Sequence, residues 1–286
     1  MIEVTGYADL HLHTTASDGR QTIPELVRRA KSLSFSAIAI TDHDTLSPDL
    51  SLPVERIWGV EVITGIEIKA DFDGVRGEIL AYFVDPSSER LRRFLARMEG
   101  ARQRRMAMMI ERCREETGVP IRVDDVRALA ERSIGRPHLA RILVEKGIVK
   151  SVNEAFADLI GDGRPCYVPI EKASFREVAE TIHSAGGVAS LAHPGLMKVD
   201  DWETFLDTIK DGGVDAIEAF YPYGLAGIRP TVEPRILVTM ADERGFLLTG
   251  GSDDHGPGSG RGRLGSIRLP YERVEALKEA LPKGAR

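Results

Sequence analysis

Cysteine is nearly missing from this 286-residue chain: Cys113 and Cys166 are the only two, far apart and in no CxxC spacing. A disulfide framework and a thiolate metal site are therefore not expected. No apolar run approaches the roughly 18 residues of a membrane span, and Met1-Ile2-Glu3-Val4 shows no basic stretch leading into an apolar one. Neither a membrane helix nor a secretory signal is expected, and a reducing cytoplasm is the default location. Positive charge is also short: 38 Lys and Arg against 44 Asp and Glu leave a net charge of −6. That balance argues against DNA and against broad coating of nucleic acid, while a local basic pocket is compatible with it. Repeats and low-complexity tracts are absent. Histidine is scarce too, with seven residues, so where each one falls carries information.

The densest stretch is Asp9-Leu10-His11-Leu12-His13. In an extended strand its alternation puts Asp9, His11 and His13 on one face, and two imidazoles so placed at a strand end form a metal-ligand geometry. Asp9 is expected to orient one of these rings through a hydrogen bond. His183, inside a helical pattern, reads as structural.

Residues 7–13 and 36–43 are β-rich, with a helical pattern at 22–33 between them. Thr22 suits an N-cap, Pro24 the first turn, and Leu26, Ala30 and Leu33 form an apolar stripe. Such a strand–helix–strand is a unit of a parallel sheet. Further strand-like runs follow at 60–68 and 78–84, separated by the turn Asp71-Phe72-Asp73-Gly74, and at 187–193, 216–221 and 246–253. Helical patterns at 175–185, 202–211 and 235–244 separate the later ones. About seven strands with intervening helices predict an α/β fold, a distorted (βα)7 TIM-like barrel; a doubly wound sheet is the alternative. Residues 88–169 break the rhythm with helical patterns at 90–116, 124–131, 138–145 and 152–160. The expectation is a catalytic barrel of residues 1–87 and 170–286 carrying a helical insertion, 88–169. A last helix at 272–281 precedes a frayed end, 282–286.

In a parallel α/β barrel the catalytic groups lie where strands end. Here the strand-like runs end in His11 and His13, in Asp42-His43, in Glu67, in His193, and in Asp253 and His255. Asp18 in a following loop and Glu78 at a strand start after a hairpin join them. Five histidines with Glu67 and Asp253 exceed the three or four protein groups that one catalytic metal takes. Two or three divalent ions are predicted, with Glu67 suited to bridging. Nitrogen and oxygen donors without thiolate favour Mn, Zn or Fe. Such a cluster activates water for attack on phosphorus or on a carbonyl, and the residues alone leave phosphate and amide both open.

His11-x-His13, Thr41-Asp42-His43, Gly65-Ile66-Glu67, Ala192-His193-Pro194-Gly195 and Gly251-Ser252-Asp253-Asp254-His255 resemble the successive motifs of the PHP family, the polymerase and histidinol phosphatase domains of the amidohydrolase superfamily. The resemblance covers most of the chain and is strongest toward the bacterial subgroup acting on nucleoside 3',5'-bisphosphates, cyclic phosphates and short RNA. It implies a first metal site at His11, His13, Glu67 and Asp253, and a second that Glu67 bridges to and His193 completes. A third is implied at Asp18, His43 and His255. The family's usual second-site histidine is replaced here by Glu78, in Glu78-Ile79-Leu80-Ala81-Tyr82, a harder and more anionic ligand. Arg136 and His138, in Gly135-Arg136-Pro137-His138, resemble the insertion motif that caps the active site; the implied roles are phosphate capture and proton donation to the leaving oxygen. The bland alternative is that Arg136-Pro137 merely opens a helix. Arg102 is a further candidate phosphate contact. Residues 256–262, followed by Arg263, read as a flexible loop able to close on substrate.

The implied function is a metal-dependent phosphoesterase in which a metal-bound hydroxide attacks phosphorus, with Asp253, Arg136 and His138 catalytic. The substrate is a small nucleotide or phosphosugar, a nucleoside 3',5'-bisphosphate as first expectation, with short RNA, a cyclic phosphodiester or L-histidinol phosphate as alternatives. A non-catalytic metal-stabilised module and a hydrolase of C–N bonds are the rivals from other classes.

Overall fold

The computed structural model describes residues 6–129, 134–170, 172–225 and 227–282. The end of the helix expected at 124–131 and the frayed tail expected after Pro282 lie outside them. Strand β1 (Tyr7–Leu12) leads through α1 (Ile23–Ser32) to β2 (Phe35–Ile40), then to β3 (Val54–Ile57), β4 (Val60–Phe72) and β5 (Val75–Tyr82). Four helices follow: α2 (Glu89–Thr117), α3 (Val123–Ala128), α4 (Arg136–Glu145) and α5 (Val152–Glu154), the last running into a π-helical stretch at Ala155–Ile160. The chain returns with β6 (Ala173–Ser174), α6 (Phe175–Ser184), β7 (Val188–Leu191), α7 (Trp202–Asp211), β8 (Ala216–Phe220), α8 (Pro234–Glu243) and β9 (Leu247–Gly250). It finishes with β10 (Leu269–Pro270) and α9 (Glu272–Glu279).

The chain divides into two compact units, residues 1–94 with 173–286, and residues 95–172. In the first unit the strands run β10-β1-β2-β4-β5-β7-β8-β9. Leu12 bridges Asp254 in the parallel sense, so the chain leaving β9 lies beside the end of β1. Seven staves, β1, β2, β4, β5, β7, β8 and β9, thereby nearly close into the distorted TIM-like barrel read from the sequence. Gly251 permits the closure, because a Cβ there would stand 2.4 Å from the backbone nitrogen of His11.

The sheet is mixed rather than all-parallel: β5 runs antiparallel to both β4 and β7. The cause is the two-residue turn Asp73-Gly74, whose positive φ angles, 52° and 99°, are those a tight hairpin needs. The three short strands β3, β6 and β10 had no counterpart in the sequence pattern. Helix α1 forms as expected: the Glu25 carboxylate accepts from the Thr22 backbone N–H at 2.8 Å, and Ile23, Leu26, Val27 and Ala30 are buried against the sheet. Inside the barrel, Ala8, Leu10, Ala37, Ile63, Leu80 and Tyr82 join Val274 and Leu277 of α9 in one core. Because β10 pairs with the first residues of β1, α9 fills the end where the parallel strands begin. The opposite end is left to polar groups. The second unit has its own core, in which Met109, Cys113, Leu139, Leu143 and Cys166 are fully buried. No described helix is long and apolar enough to cross a membrane.

Candidate metal centre

At the barrel end opposite α9, the structure brings nine expected residues into overlapping groups: His13, Asp18, His43 and His255; His11, His13 and Asp253; His11, Glu67 and His193; and His43, Glu67 and Glu78. Within each group the donor atoms lie no more than 4.8 Å apart. His13 Nε2 stands 3.4 Å from Glu67 Oε2 and 3.3 Å from Asp253 Oδ1. His255 Nε2 is 3.2 Å from Asp18 Oδ1, and His193 Nε2 is 2.8 Å from Glu67 Oε1. Four donors at tetrahedral metal–ligand lengths stand about 3.4 Å apart, so most of these spacings are those of ligand shells.

A direct test of fit is whether the donors are already used. Among the described residues, His11 Nε2, both ring nitrogens of His13, His43 Nδ1, Glu67 Oε2 and His255 Nε2 are buried without a hydrogen-bond partner, whereas His193 Nε2 bonds Glu67 Oε1 at 2.8 Å. Buried polar atoms are normally paired, and an orphaned set of this chemistry fits divalent cations. The neighbouring charges agree. Burial alone would push the Glu67 carboxyl up, yet His11 and His43 hold it well below the usual carboxylate range. Burial would depress His193 and His43, but Glu67 and Glu78 raise them to about 10 and about 9.

Local structure explains each placement. His11 lies on β1 where its register with β2 shifts between Asp9 and Leu12, and His13 stands just past the strand's end. Glu67 lies three residues past Thr64, the last β4 residue paired with β2; there β4 still pairs with β5, and on the other side Glu67 meets His43 in an isolated bridge. Glu78 is the fourth of the eight residues of β5 rather than a strand start, and it reaches the rim because that strand runs the other way. Its Oε2 stands 3.3 Å from His193 Nε2 and its Oε1 3.9 Å from His43 Nδ1. His193 and Asp253 carry φ of 26° and 53°, a region L-residues seldom occupy. Strain of that kind gathers at functional sites.

One expectation is corrected. Asp9 accepts hydrogen bonds from the backbone of His11 (3.3 Å) and Ser252 (2.9 Å) and touches no imidazole nitrogen. The orienting residue is Glu218 on β8: its Oε1 accepts from His11 Nδ1 at 2.9 Å and its Oε2 from the His193 backbone at 2.7 Å. The first bond places the His11 proton on Nδ1 and leaves Nε2 bare toward Glu67. A single acid inside the apolar run Ala216-Ile217-Glu218-Ala219-Phe220 was the available signal. Asp42 is also structural: it accepts from Thr14 N, Thr14 Oγ1 and Ser17 Oγ at 2.6–2.8 Å and so fixes the loop that carries Asp18. His183, read as structural, meets Asp215 at 2.7 Å.

The second unit holds Arg102, Arg136 and His138. Arg136 Nη1 donates to Asp162 Oδ1 at 2.7 Å, with its guanidinium over the rings of Phe156 and Tyr167. His138 Nδ1 accepts from the Gly135 backbone at 3.0 Å, capping α4, which leaves the proton of the neutral ring on Nε2. Burial first, and then Arg141, lower the His138 pKa. Arg102 Nη1 contacts Glu99 at 3.2 Å.

A TIM-like barrel rimmed by overlapping histidine and carboxylate groups defines a metal-dependent hydrolase. Residues 9–184 match the PHP domain; the chain belongs to the PHP family and is a metal-dependent phosphoesterase. It is 36% identical over 188 residues to a 5'-3' exoribonuclease of Haemophilus influenzae, covering 65% of this chain and 68% of that one. A 3',5'-nucleoside bisphosphate phosphatase of Chromobacterium violaceum is 30% identical over 268 residues, 88% of each chain. The crystal structure of a candidate metal-dependent phosphoesterase from Bifidobacterium adolescentis superposes with a TM-score of 0.73 at 32% identity, covering 94% of each chain.

Proposed function

We propose that this enzyme removes phosphate from a small nucleotide or phosphosugar, a nucleoside 3',5'-bisphosphate first, using two or three divalent ions of Mn, Zn or Fe. The observation that carries the reading is the set of overlapping donor groups pivoting on Glu67, whose two oxygens face different histidines. The name of the Chromobacterium violaceum relative supports the bisphosphate. The assignment of ligands is His11, His13, Glu67 and Asp253; Glu67, Glu78 and His193; and Asp18, His43 and His255. Ions held there would polarise the phosphoryl oxygens and activate water.

The remaining chemistry falls to side chains. Glu218 keeps His11 in the tautomer a ligand needs. Tyr221 donates to Asp253 Oδ2 at 2.8 Å and so turns Oδ1 toward the histidines. In the proposal residues 88–169 cap the site, Arg136 and Arg102 take up phosphate oxygens, and His138 passes its Nε2 proton to the leaving oxygen. The cytoplasm is the proposed location. A second reading, attack on the 5' end of short RNA, rests on the name of the Haemophilus influenzae relative.

The test is phosphate release with Mn(II) from adenosine 3',5'-bisphosphate, AMP, a cyclic phosphodiester, a short 5'-phosphorylated RNA and L-histidinol phosphate. Fastest release from the bisphosphate, lost in Asp253→Ala, supports the proposal. Preference for the RNA selects the second reading. Silence across the panel in metal-replete protein rejects both.

A further inference from the structure

The segment after His255 is not the flexible loop its glycines suggest. Asp254 is fully buried, and its Oδ1 accepts from the backbone nitrogens of Arg263 and of Leu264, the latter at 2.8 Å. Its Oδ2 accepts from Gly256 N at 3.1 Å and pairs with Arg29 at 3.1 Å. The loop is also closed on itself: His255 N bonds Arg261 O at 2.9 Å, and Arg261 N bonds Ser259 Oγ at 2.9 Å. One buried carboxylate thus ties both ends of the loop to the barrel, and the loop presents two guanidinium groups in fixed places.

Those groups stand behind the two aspartates of the rim. Asp253 turns Oδ1 to His11 and His13, and Oδ2 to Arg263 (3.9 Å), Arg261 (4.0 Å) and Tyr221. Asp18 turns Oδ1 to His13, His43 and His255, and Oδ2 to Arg261 at 3.6 Å. The arginine contacts are longer than hydrogen bonds. Among the described residues no hydrogen bond uses the Arg261 guanidinium, which is 44% exposed, while that of Arg263 is only 11% exposed and reaches Tyr221 Oη at 3.4 Å. A planar fork with unused N–H donors, held at the edge of a cation site on a pinned loop, matches the oxygens of a phosphate ester.

We propose that Arg261 and Arg263 form a clamp that binds the phosphoryl oxygens of the substrate at the Asp18–Asp253 side of the rim, Arg261 by direct contact and Arg263 by holding the local positive charge. The inference rests on the phosphoesterase reading for its ligand, and it adds a phosphate site within the barrel unit itself. The probe is inorganic phosphate, titrated calorimetrically into Mn(II)-loaded protein, with metal content measured on each variant. Arg261→Ala should weaken phosphate about tenfold or more, the scale of a hydrogen bond to a charged group, with metal content unchanged. Arg261→Lys should recover part of the loss, and Arg263→Gln should fall between. Arg268→Ala, which removes an equal charge at the opposite end of β1, should bind phosphate like the unaltered protein.

Unchanged affinity in Arg261→Ala and Arg263→Gln overturns the clamp. So does a loss of metal that accounts for the weaker binding, or an equal loss in Arg268→Ala. Ester hydrolysis is scored separately: tight phosphate binding sensitive to Arg261, in protein that cleaves no ester, keeps the clamp and sinks the phosphatase reading. Hydrolysis that persists with phosphate affinity indifferent to both arginines does the reverse.

Discussion

The histidines of the barrel rim and the histidine of the helical unit differ in what their ring nitrogens are left to do. On the rim, His11, His13 and His255 each keep a buried nitrogen that nothing among the described residues satisfies, although carboxylates stand all around. In the helical unit His138 is engaged by the Gly135 backbone and Arg136 by Asp162. The same residue types read alike in sequence. Unspent buried donor capacity marks the rim as built for a ligand, since an unpaired buried polar atom costs about 1–3 kcal/mol unless something else completes it; in the helical unit the same residue types also hold the local fold, His138 through Nδ1 alone.

Removing a pivot should break the contrast most severely. Glu67→Gln or Asp253→Ala should lower kcat by about a thousandfold, several kcal/mol of transition-state stabilisation, with bound metal falling in parallel in elemental analysis. Retention of full metal and activity in Glu67→Gln would end the case for a shared carboxylate. For the helical unit, His138→Gln keeps a side chain able to cap α4 but removes the proton donor. The expectation is unchanged thermal stability with a rate loss of about a hundredfold; an unchanged rate would make His138 a cap alone. Glu218→Gln should weaken metal affinity by about 10- to 100-fold, as expected for a residue that orients a ligand, while circular dichroism stays the same.

Acid–base behaviour sharpens the contrast further. His193 and His43, raised to about 10 and about 9 in the metal-free protein, hold protons at neutral pH that a metal must displace. Loading Mn(II) at about pH 7 should therefore release protons, visible as a calorimetric heat that varies with buffer ionisation enthalpy. Apparent affinity should rise with pH up to the range of those two values and fall in acid. The smallest effect belongs to His183, whose pKa is raised by its hydrogen bond to Asp215 against partial burial. A raised folded value stabilises below the ordinary imidazole pKa and is lost as pH rises through the folded one. His183→Gln should then cost more stability at about pH 5.5 than at about pH 9, by less than about 1 kcal/mol for so exposed a pair.

Much of the rim was legible because most of its ligands are short-range events on strands: alternation alone turned His11 and His13 to one side, and His43, Glu67, His193, Asp253 and His255 came at or after the ends of β-rich runs. What could not be read were pairings made across the barrel. Glu218 meets His11 from 207 positions away, and nothing near either residue in the chain announces it. Asp254 looked like one more acid in a polar motif, yet it is the knot of the following loop. The reversal into β5 was legible in the Asp71-Phe72-Asp73-Gly74 turn, but that signal does not show that β5 also runs antiparallel to β7 on its other side. β3, β6 and β10 are too short, or too mixed in composition, for period-two reading.

The hairpin turn at Asp73-Gly74 has a consequence for how the chemistry of this enzyme can drift. It sets the count along β5, where Lys69 pairs with Glu78 and Glu67 with Leu80. Because strand faces alternate with every residue, lengthening that turn by one position would move Glu78 to the other face and set Gly77 opposite Lys69 in its place. A length change at a solvent-facing bend, with no ligand codon altered, would thus rewrite the donor set at one corner of the centre. The place of one carboxylate in the candidate donor set is indexed by a turn, and variation in that turn is a route by which relatives could diverge at this corner.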